Sequence, residues 1–384
     1  MTHIDLTHCS RRGFVHTLSA ATLFPWVSAH AQDAGGVLKL GQSTALTGPL
    51  GDLGQAAVQG AKACFDAVNA KGGVNGRKIE LVSQDDGYDA KKALANAEGF
   101  IADKDIFALF NCLGTPMVEA MLPKVIESGI PFFAPYTGAL LARPKARNVF
   151  NIRASYPDEA EQLVQHLSTI GIKRIGVAYQ NNAFGKEVFE GARLAMEKYK
   201  VTNSSAVTIE NTGADAAAAA TKLLADAPEA ILMGLAGKPT IDFVKAMRQQ
   251  RKGMPLYALS VLGAAATLKA LGDDAVGIAV SQVVPLPNNT GVAVVRDFQQ
   301  AWKQSGTALE PSHLALEGYI NARVFVEALR RAGAKPTRES FIDATWALKK
   351  LDLGGFEINA IEPGRSASRF IEMTMVNRQG RFIK

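Results

Sequence analysis

The sequence predicts an α/β protein of two doubly wound, parallel-sheet domains, on three observations. From Val37 onward, short apolar runs alternate with helical stretches opening on Gly, Pro or Asp, the pattern that a parallel sheet with crossover helices requires. The 384 residues exceed twice the roughly 150 of a typical domain. The chain is 47% hydrophobic and 20% charged, with no repeat and no long block of one charge, which supplies ample core and excludes disorder, collagen and coiled coil.

The elements follow in order. Val37, Leu38 and Leu40 mark a strand over 37–41, and the Gly- and Ala-rich stretch after it a helix over 51–69. The alternation continues with a strand at 79–82, a helix at 90–103, a strand at 106–110, a helix opened by Pro116 over 116–127, and a strand at 131–133. Around 149–158 the rhythm restarts. A helix at 158–170 leads to a strand at 174–179, a helix at 185–198, a strand at 206–209, a helix at 215–226, a strand at 230–234 and a helix at 239–251. The Ala216 to Ala220 run is helical by propensity alone. A strand at 277–284 ends in Pro285-Leu286-Pro287, a stiff link to two amphipathic helices, 292–303 and 314–332, which read as the outer layer of a domain already begun.

Ahead of this pattern, Arg11-Arg12, the apolar stretch 14–27 and Ala29-His30-Ala31 form a cleavable export signal over 1–31, with cleavage after Ala31. Ser10-Arg11-Arg12-Gly13-Phe14 suits the twin-arginine route, while Val15 and His16 depart from it, and both export routes stay open. His16, Thr17 and Pro25 interrupt the apolar stretch, and no later run reaches the roughly 18 apolar residues of a membrane span. A soluble exported protein is expected.

Cleavage leaves Cys64, Cys112, His166 and His313, too few ligands for a zinc site. The two Cys either pair or stay as buried thiols, which geometry decides. The net charge of +6 is spread along the chain, and no basic run with interleaved aromatics marks a nucleic-acid groove.

The enzymatic motifs are missing. Gly48 to Gly60 follows a strand and opens a helix, but its spacing is neither GxGxxG nor GxxxxGK[ST], so no nucleotide cofactor is expected. There is no GxSxG elbow, and two His leave little for a Ser-His-Asp triad. Asp85-Asp86-Gly87-Tyr88-Asp89 lacks the spacing and terminal Glu of a calcium loop and reads as a capped turn, so no metal is expected. His166 reads as a surface residue of a helix, and His313 as a helix cap or cleft residue. Binding remains. In parallel α/β sheets ligands lie beyond the carboxyl ends of strands, where helix N-termini favour anions. Ser43-Thr44, Thr47-Gly48, Gly114-Thr115 and Tyr136-Thr137-Gly138 occupy such loops and make a polar rim.

Ala45-Leu46-Thr47-Gly48-Pro49, the run from Asn69 to Ile79 and Asp85-Asp86 resemble the opening of the leucine/isoleucine/valine-binding family of periplasmic solute receptors. Gly129-Ile130-Pro131, Ala183-Phe184-Gly185 and Glu317-Gly318-Tyr319 extend the resemblance along the chain. It implies a type I periplasmic binding fold: lobe 1 from 37–154 plus 286–365, lobe 2 from 155–285 plus 366–384, crossovers near Ala154, Pro285 and Ser366, and a ligand between the lobes. It also implies a monomeric periplasmic receptor of a branched-chain amino acid type ABC transporter. Such a receptor catalyses nothing, closes on a small-molecule solute and docks on the permease. A soluble sensing receptor on the same scaffold is the alternative, and an enzyme reusing it the remoter one.

By this resemblance the hydroxyl that holds a ligand carboxylate falls on Thr115, preceded by Gly114, and the second carboxylate loop on Tyr136-Thr137-Gly138. The aromatic wall of lobe 2 falls on Phe184, and Leu53 replaces another aromatic. The acid that holds a ligand ammonium is replaced by Ser260, and its Tyr partner falls near Ala236, so both ammonium contacts are expected to be missing. Glu159, Glu317 or Asp158 could supply another acid, and Ser260, with Gln180 or Asn182, is expected to face a neutral polar tail. The positions of the family's disulfide fall on Tyr88 and Gly114.

Overall fold

A computed structural model describes residues 35–384; the export signal over 1–31 lies outside them. The first half runs β1 (Gly35–Thr44), α1 (Gly51–Asn69), β2 (Arg77–Asp85), α2 (Ala90–Ala102), β3 (Ile106–Phe110), α3 (Thr115–Ser128), β4 (Phe132–Phe133) and β5 (Val149–Phe150). These strands form a parallel sheet in the order β2-β1-β3-β4-β5. Local chemistry sets the helix ends. The Asp89 carboxylate accepts from the Lys91 and Lys92 N–H groups to cap α2, and Gly129 ends α3 in the left-handed region at φ 67°.

The second half runs α4 (Tyr156–Thr169), β6 (Arg174–Gln180), α5 (Ala183–Tyr199), β7 (Thr202–Ile209), α6 (Ala216–Ala225), β8 (Ala230–Gly234), α7 (Lys238–Gln250), β9 (Leu256–Ala258), α8 (Ala265–Leu271) and β10 (Ala279–Gln282). α4 begins two residues before its expected start, because Ser155 and Asp158 form a reciprocal capping box. The chain continues through α9 (Ala293–Gln304), α10 (His313–Arg331), α11 (Arg338–Trp346), the hairpin of β11 (Leu351–Asp352) and β12 (Glu357–Ile358), and finally β13 (Glu372–Val376) and β14 (Phe382–Ile383). The second sheet has the order β14-β13-β10-β9-β8-β6-β7, with an antiparallel edge at β13 and β14.

α9 and α10 return to the first sheet, where α10 lies against α1 and its Phe325 meets Phe65, Phe110 and Phe133 edge-on at centroid distances of 6.2, 5.7 and 5.3 Å. The chain therefore passes between the sheets after β5, after β10 and before β13. The first and last of these passages run side by side: Ala367 N–H donates to Asn151 C=O and Ser368 N–H to Ile152 C=O. One apolar cluster joins both halves, with Leu50 and Leu53 on one side and Phe184, Ala236 and Leu259 on the other.

Cys64 and Cys112 are unpaired buried thiols, each pushed up to about 12 chiefly by burial. Among the described residues, no helix is long and apolar enough to cross a membrane.

Candidate functional site

Two strand-end loops of the first sheet are laced together. Tyr136 N–H donates to Cys112 C=O at 2.8 Å, and Gly114 N–H to Tyr136 C=O at 3.2 Å. Gly114, at φ 104°, is the N-cap of α3, and Thr115 is its first residue. The lacing sets the Thr115 and Thr137 hydroxyls 2.7 Å apart at that helix N-terminus, both fully buried. The Thr137 oxygen also accepts from Ala139 N–H at 3.2 Å.

The other half meets this pair through Tyr156, which opens α4. Its N–H donates to Gly138 C=O at 2.8 Å, and its ring stands edge-on to Phe184 at 5.1 Å. Arg153, just before α4, lies 5.2 Å over the Tyr156 ring. Its Nη2 donates at 2.6 Å both to Glu159 Oε1 and to Ser260 Oγ, and its Nη1 is 3.5 Å from Glu317 Oε1. Glu159 additionally accepts from Ser260 N–H at 2.9 Å, Ser260 Oγ at 3.1 Å and Ser281 Oγ at 2.7 Å. Burial works against the Arg153 charge, but the Glu317 and Glu159 carboxylates outweigh it and raise the pKa. Burial raises Glu317, with Arg153 opposing it in part. A second buried guanidinium, Arg143, donates to Ala139 C=O at 2.7 Å, Arg153 C=O at 3.0 Å and Ser366 Oγ at 2.9 Å, tying the Thr137 loop to two of the passages between sheets. Burial, then Arg153, lowers it to about 10.

Seven of the residues singled out from the sequence, Gly114, Thr115, Tyr136, Thr137, Gly138, Phe184 and Ser260, thus connect through Tyr156 and Arg153. Leu53 and Ala236 belong to the same buried cluster. The polar side chains expected to face a ligand's tail are already engaged. Ser260 Oγ both accepts and donates, Gln180 accepts from Ala236 N–H at 3.3 Å and donates to Asn211, and Asn182 caps α5 while donating to Asn211. Sequence reasoning missed Arg153, Tyr156 and Arg143; the available signal was a lone cation just ahead of the Ser155 and Asp158 capping pair.

The remaining candidates have local roles. Asp85 accepts from Leu46 N–H, Gly87 N–H and the Thr47 hydroxyl, which hold it down to about 2, the Thr47 bond most of all. The loop is a capped turn. His166 is half-buried against the Tyr257 ring, and His313 lies under Phe382, with Ser312 rather than His313 capping α10.

Two sheet-based lobes exchanging the chain three times, with hydroxyls, a helix N-terminus and aromatic walls buried between them, define a type I periplasmic binding fold, the scaffold of a solute-binding protein. The chain belongs to the periplasmic binding protein family, whose profile, described as "Periplasmic binding protein", matches residues 37–381. It is 32% identical to a substrate-binding periplasmic protein of Ralstonia solanacearum, with a TM-score of 0.85 over 90% of this chain and 99% of that one. A possible leucine/isoleucine/valine-binding protein of Rhodopirellula baltica SH 1 is 29% identical, with a TM-score of 0.86 over 92% of this chain and 97% of that one. Leu/Ile/Val-binding protein homolog 7 of Brucella abortus (strain 2308) is 23% identical over 333 residues, 82% of this chain and 81% of that protein. The chain is a solute-binding protein of the Leu/Ile/Val-binding type, and the family implies an extracytoplasmic location.

Proposed function

We propose that this protein is the solute receptor of an ABC importer, that it encloses a small carboxylate between its lobes and that it delivers it to the membrane permease. In this reading lobe 1 comprises 37–154 plus 286–365 and lobe 2 comprises 155–285 plus 366–384; the export signal over 1–31 carries the chain to the periplasm, and the receptor acts as a monomer without catalysis. The observation that carries the ligand class is the buried Thr115 and Thr137 hydroxyl pair, 2.7 Å apart at the N-terminus of α3. The hydroxyl pair and the positive end of the α3 dipole favour a carboxylate, and burial strengthens both, although Pro116 has no N–H and the Val118 N–H is taken by Gly114 C=O.

Calorimetric titration with a panel of small aliphatic and aromatic carboxylates tests this. Members of the panel bind the wild type, and Thr115→Val weakens them roughly ten- to a hundredfold, the value of a hydrogen bond to a charged group. No binding by any carboxylate, or unchanged binding by the variant, contradicts the assignment.

A further inference from the structure

The charges buried at the lobe seam restrict the ligand further. An ammonium taken out of water needs a carboxylate with acceptor capacity to spare. A carboxylate offers about four lone-pair positions, and those of Glu159 receive four donors: Arg153 Nη2 and Ser260 Oγ on Oε1, Ser260 N–H and Ser281 Oγ on Oε2. Glu317 is the other acid in contact with Arg153; its Oε1 accepts no hydrogen bond, but Arg153 Nη1 stands 3.5 Å away as its counter-charge. Asp158 is exposed rather than buried, and its Oδ2 accepts from the Ser155 N–H and hydroxyl. The cations are as firmly installed, since Arg153 and Arg143 are both more than nine-tenths buried. Beside Arg153, a further positive charge would meet two guanidinium groups, a Glu159 with no acceptor position left and a Glu317 already facing Arg153, whereas a negative one meets the Thr115 and Thr137 hydroxyls.

We propose that Arg153 is a specificity-determining residue that occupies the buried acids of the seam, so that the ligand is a monocarboxylate without a charged amine, bearing an apolar or aromatic body. The inference rests on the carboxylate reading given above. Leu53, Phe184, Ala236 and Leu259 are buried in one apolar cluster that spans both lobes, and Arg153 Nη1, buried without a hydrogen-bond partner, remains a donor for a carboxylate or carbonyl oxygen.

The test compares matched pairs differing only in the amine, leucine against 4-methylpentanoate and phenylalanine against 3-phenylpropanoate, by calorimetry on the wild type, Arg153→Gln and Arg153→Lys. The wild type binds the deaminated acid at least tenfold more tightly. Arg153→Gln releases Glu159 and Glu317, and shifts the ratio at least tenfold towards the amino acid. Arg153→Lys keeps the charge without the fork that reaches Glu159, Ser260 and Glu317 together, and narrows the preference in a variant that still carries a buried cation, so a misfolded Gln variant leaves the idea open to refutation. A wild type that prefers the amino acids, while Thr115→Val still weakens them, overturns the role of Arg153 and spares the carboxylate reading. A deaminated preference unchanged in both variants overturns that role as well. Binding of neither class overturns the carboxylate reading and this inference with it.

Discussion

The Asp52 carboxylate, in the first turn of α1, accepts a hydrogen bond of 3.0 Å from the Thr267 hydroxyl of α8, and the bond runs from one lobe to the other. It stands where two cavities of the seam meet, one of about 620 Å³ beside Pro49 and Lys238, the other of about 960 Å³ beside Gln55 and Lys269. Burial raises the Asp52 pKa although the Thr267 bond pulls it down. A carboxyl raised in the folded protein favours folding most when protonated, and that contribution fades as pH climbs past the usual aspartate range. Asp52→Asn keeps an acceptor for Thr267 and loses the charge. Its melting temperature relative to the wild type rises between about pH 4 and pH 7; an offset independent of pH in thermal-shift scans contradicts this.

Gly237 marks a second lobe-to-lobe contact. It has φ 59° and ψ −135°, and a Cβ there would stand 2.2 Å from the Pro49 carbonyl oxygen across the seam. Gly237→Ala therefore carries both a backbone cost of about 1–2 kcal/mol and a clash that moving the lobes apart relieves. In small-angle scattering with a saturating carboxylate, the wild type contracts and the variant does not, and its affinity falls about tenfold or more. Equal contraction of both proteins would place this contact outside the closing motion.

His313 predicts an acid limit. It is 3% exposed at the start of α10, edge-on to Phe382 at 5.0 Å, and its Nε2 has no hydrogen-bond partner. Burial alone pushes its pKa down to about 3. A depressed histidine contributes its stability above the unfolded value near 6.5, and loses it as pH falls from there towards 3, which over the whole window amounts to roughly 3 to 5 kcal/mol. His313→Gln removes the titration, so its chemical-denaturation midpoint depends less on pH between about 6.5 and 4 than that of the wild type.

Apart from the two-residue β4, which lies inside the strand expected at 131–133, the elements legible in the sequence were those long enough to show a period. α1 fell at Gly51–Asn69 and β3 at Ile106–Phe110 as read, because each is a single apolar pattern bounded by turn residues. β5, β9 and the hairpin strands have two or three residues, too few for any alternation, and the antiparallel β13 and β14 exist only because the chain returns to a sheet built far upstream. At the seam the difference is of another kind. Thr115 and Thr137 sit on strand-end loops, where chain order alone points to a ligand. Arg153 does not: its meaning comes from Glu159, Ser260 and Glu317, up to 164 positions away, and nothing in its own neighbours shows that three partners converge on one guanidinium.

Gly138 ties the two loops of the site to the second lobe, and its variant separates a packing role from a general loss of fold. A Cβ at Gly138 would come within 2.6 to 2.8 Å of three atoms of the Tyr156 ring. That ring cannot retreat freely, because Phe184 stands 5.1 Å away on one side and the Arg153 guanidinium 5.2 Å away on another. Gly138→Ala must therefore push Tyr156 out of register with Phe184, at a cost of about 1–3 kcal/mol for overpacking a filled core, and carboxylate affinity drops about tenfold. Tyr156→Ala by itself leaves a cavity and costs about 3–5 kcal/mol. In the double variant the added methyl falls into that cavity, so Gly138→Ala costs far less, or is favourable, in the Tyr156→Ala background. Denaturation midpoints of the four proteins give the coupling directly; it should be about 1–3 kcal/mol and favourable. Additive costs would mean that Gly138 is constrained by its backbone and not by the Tyr156 ring.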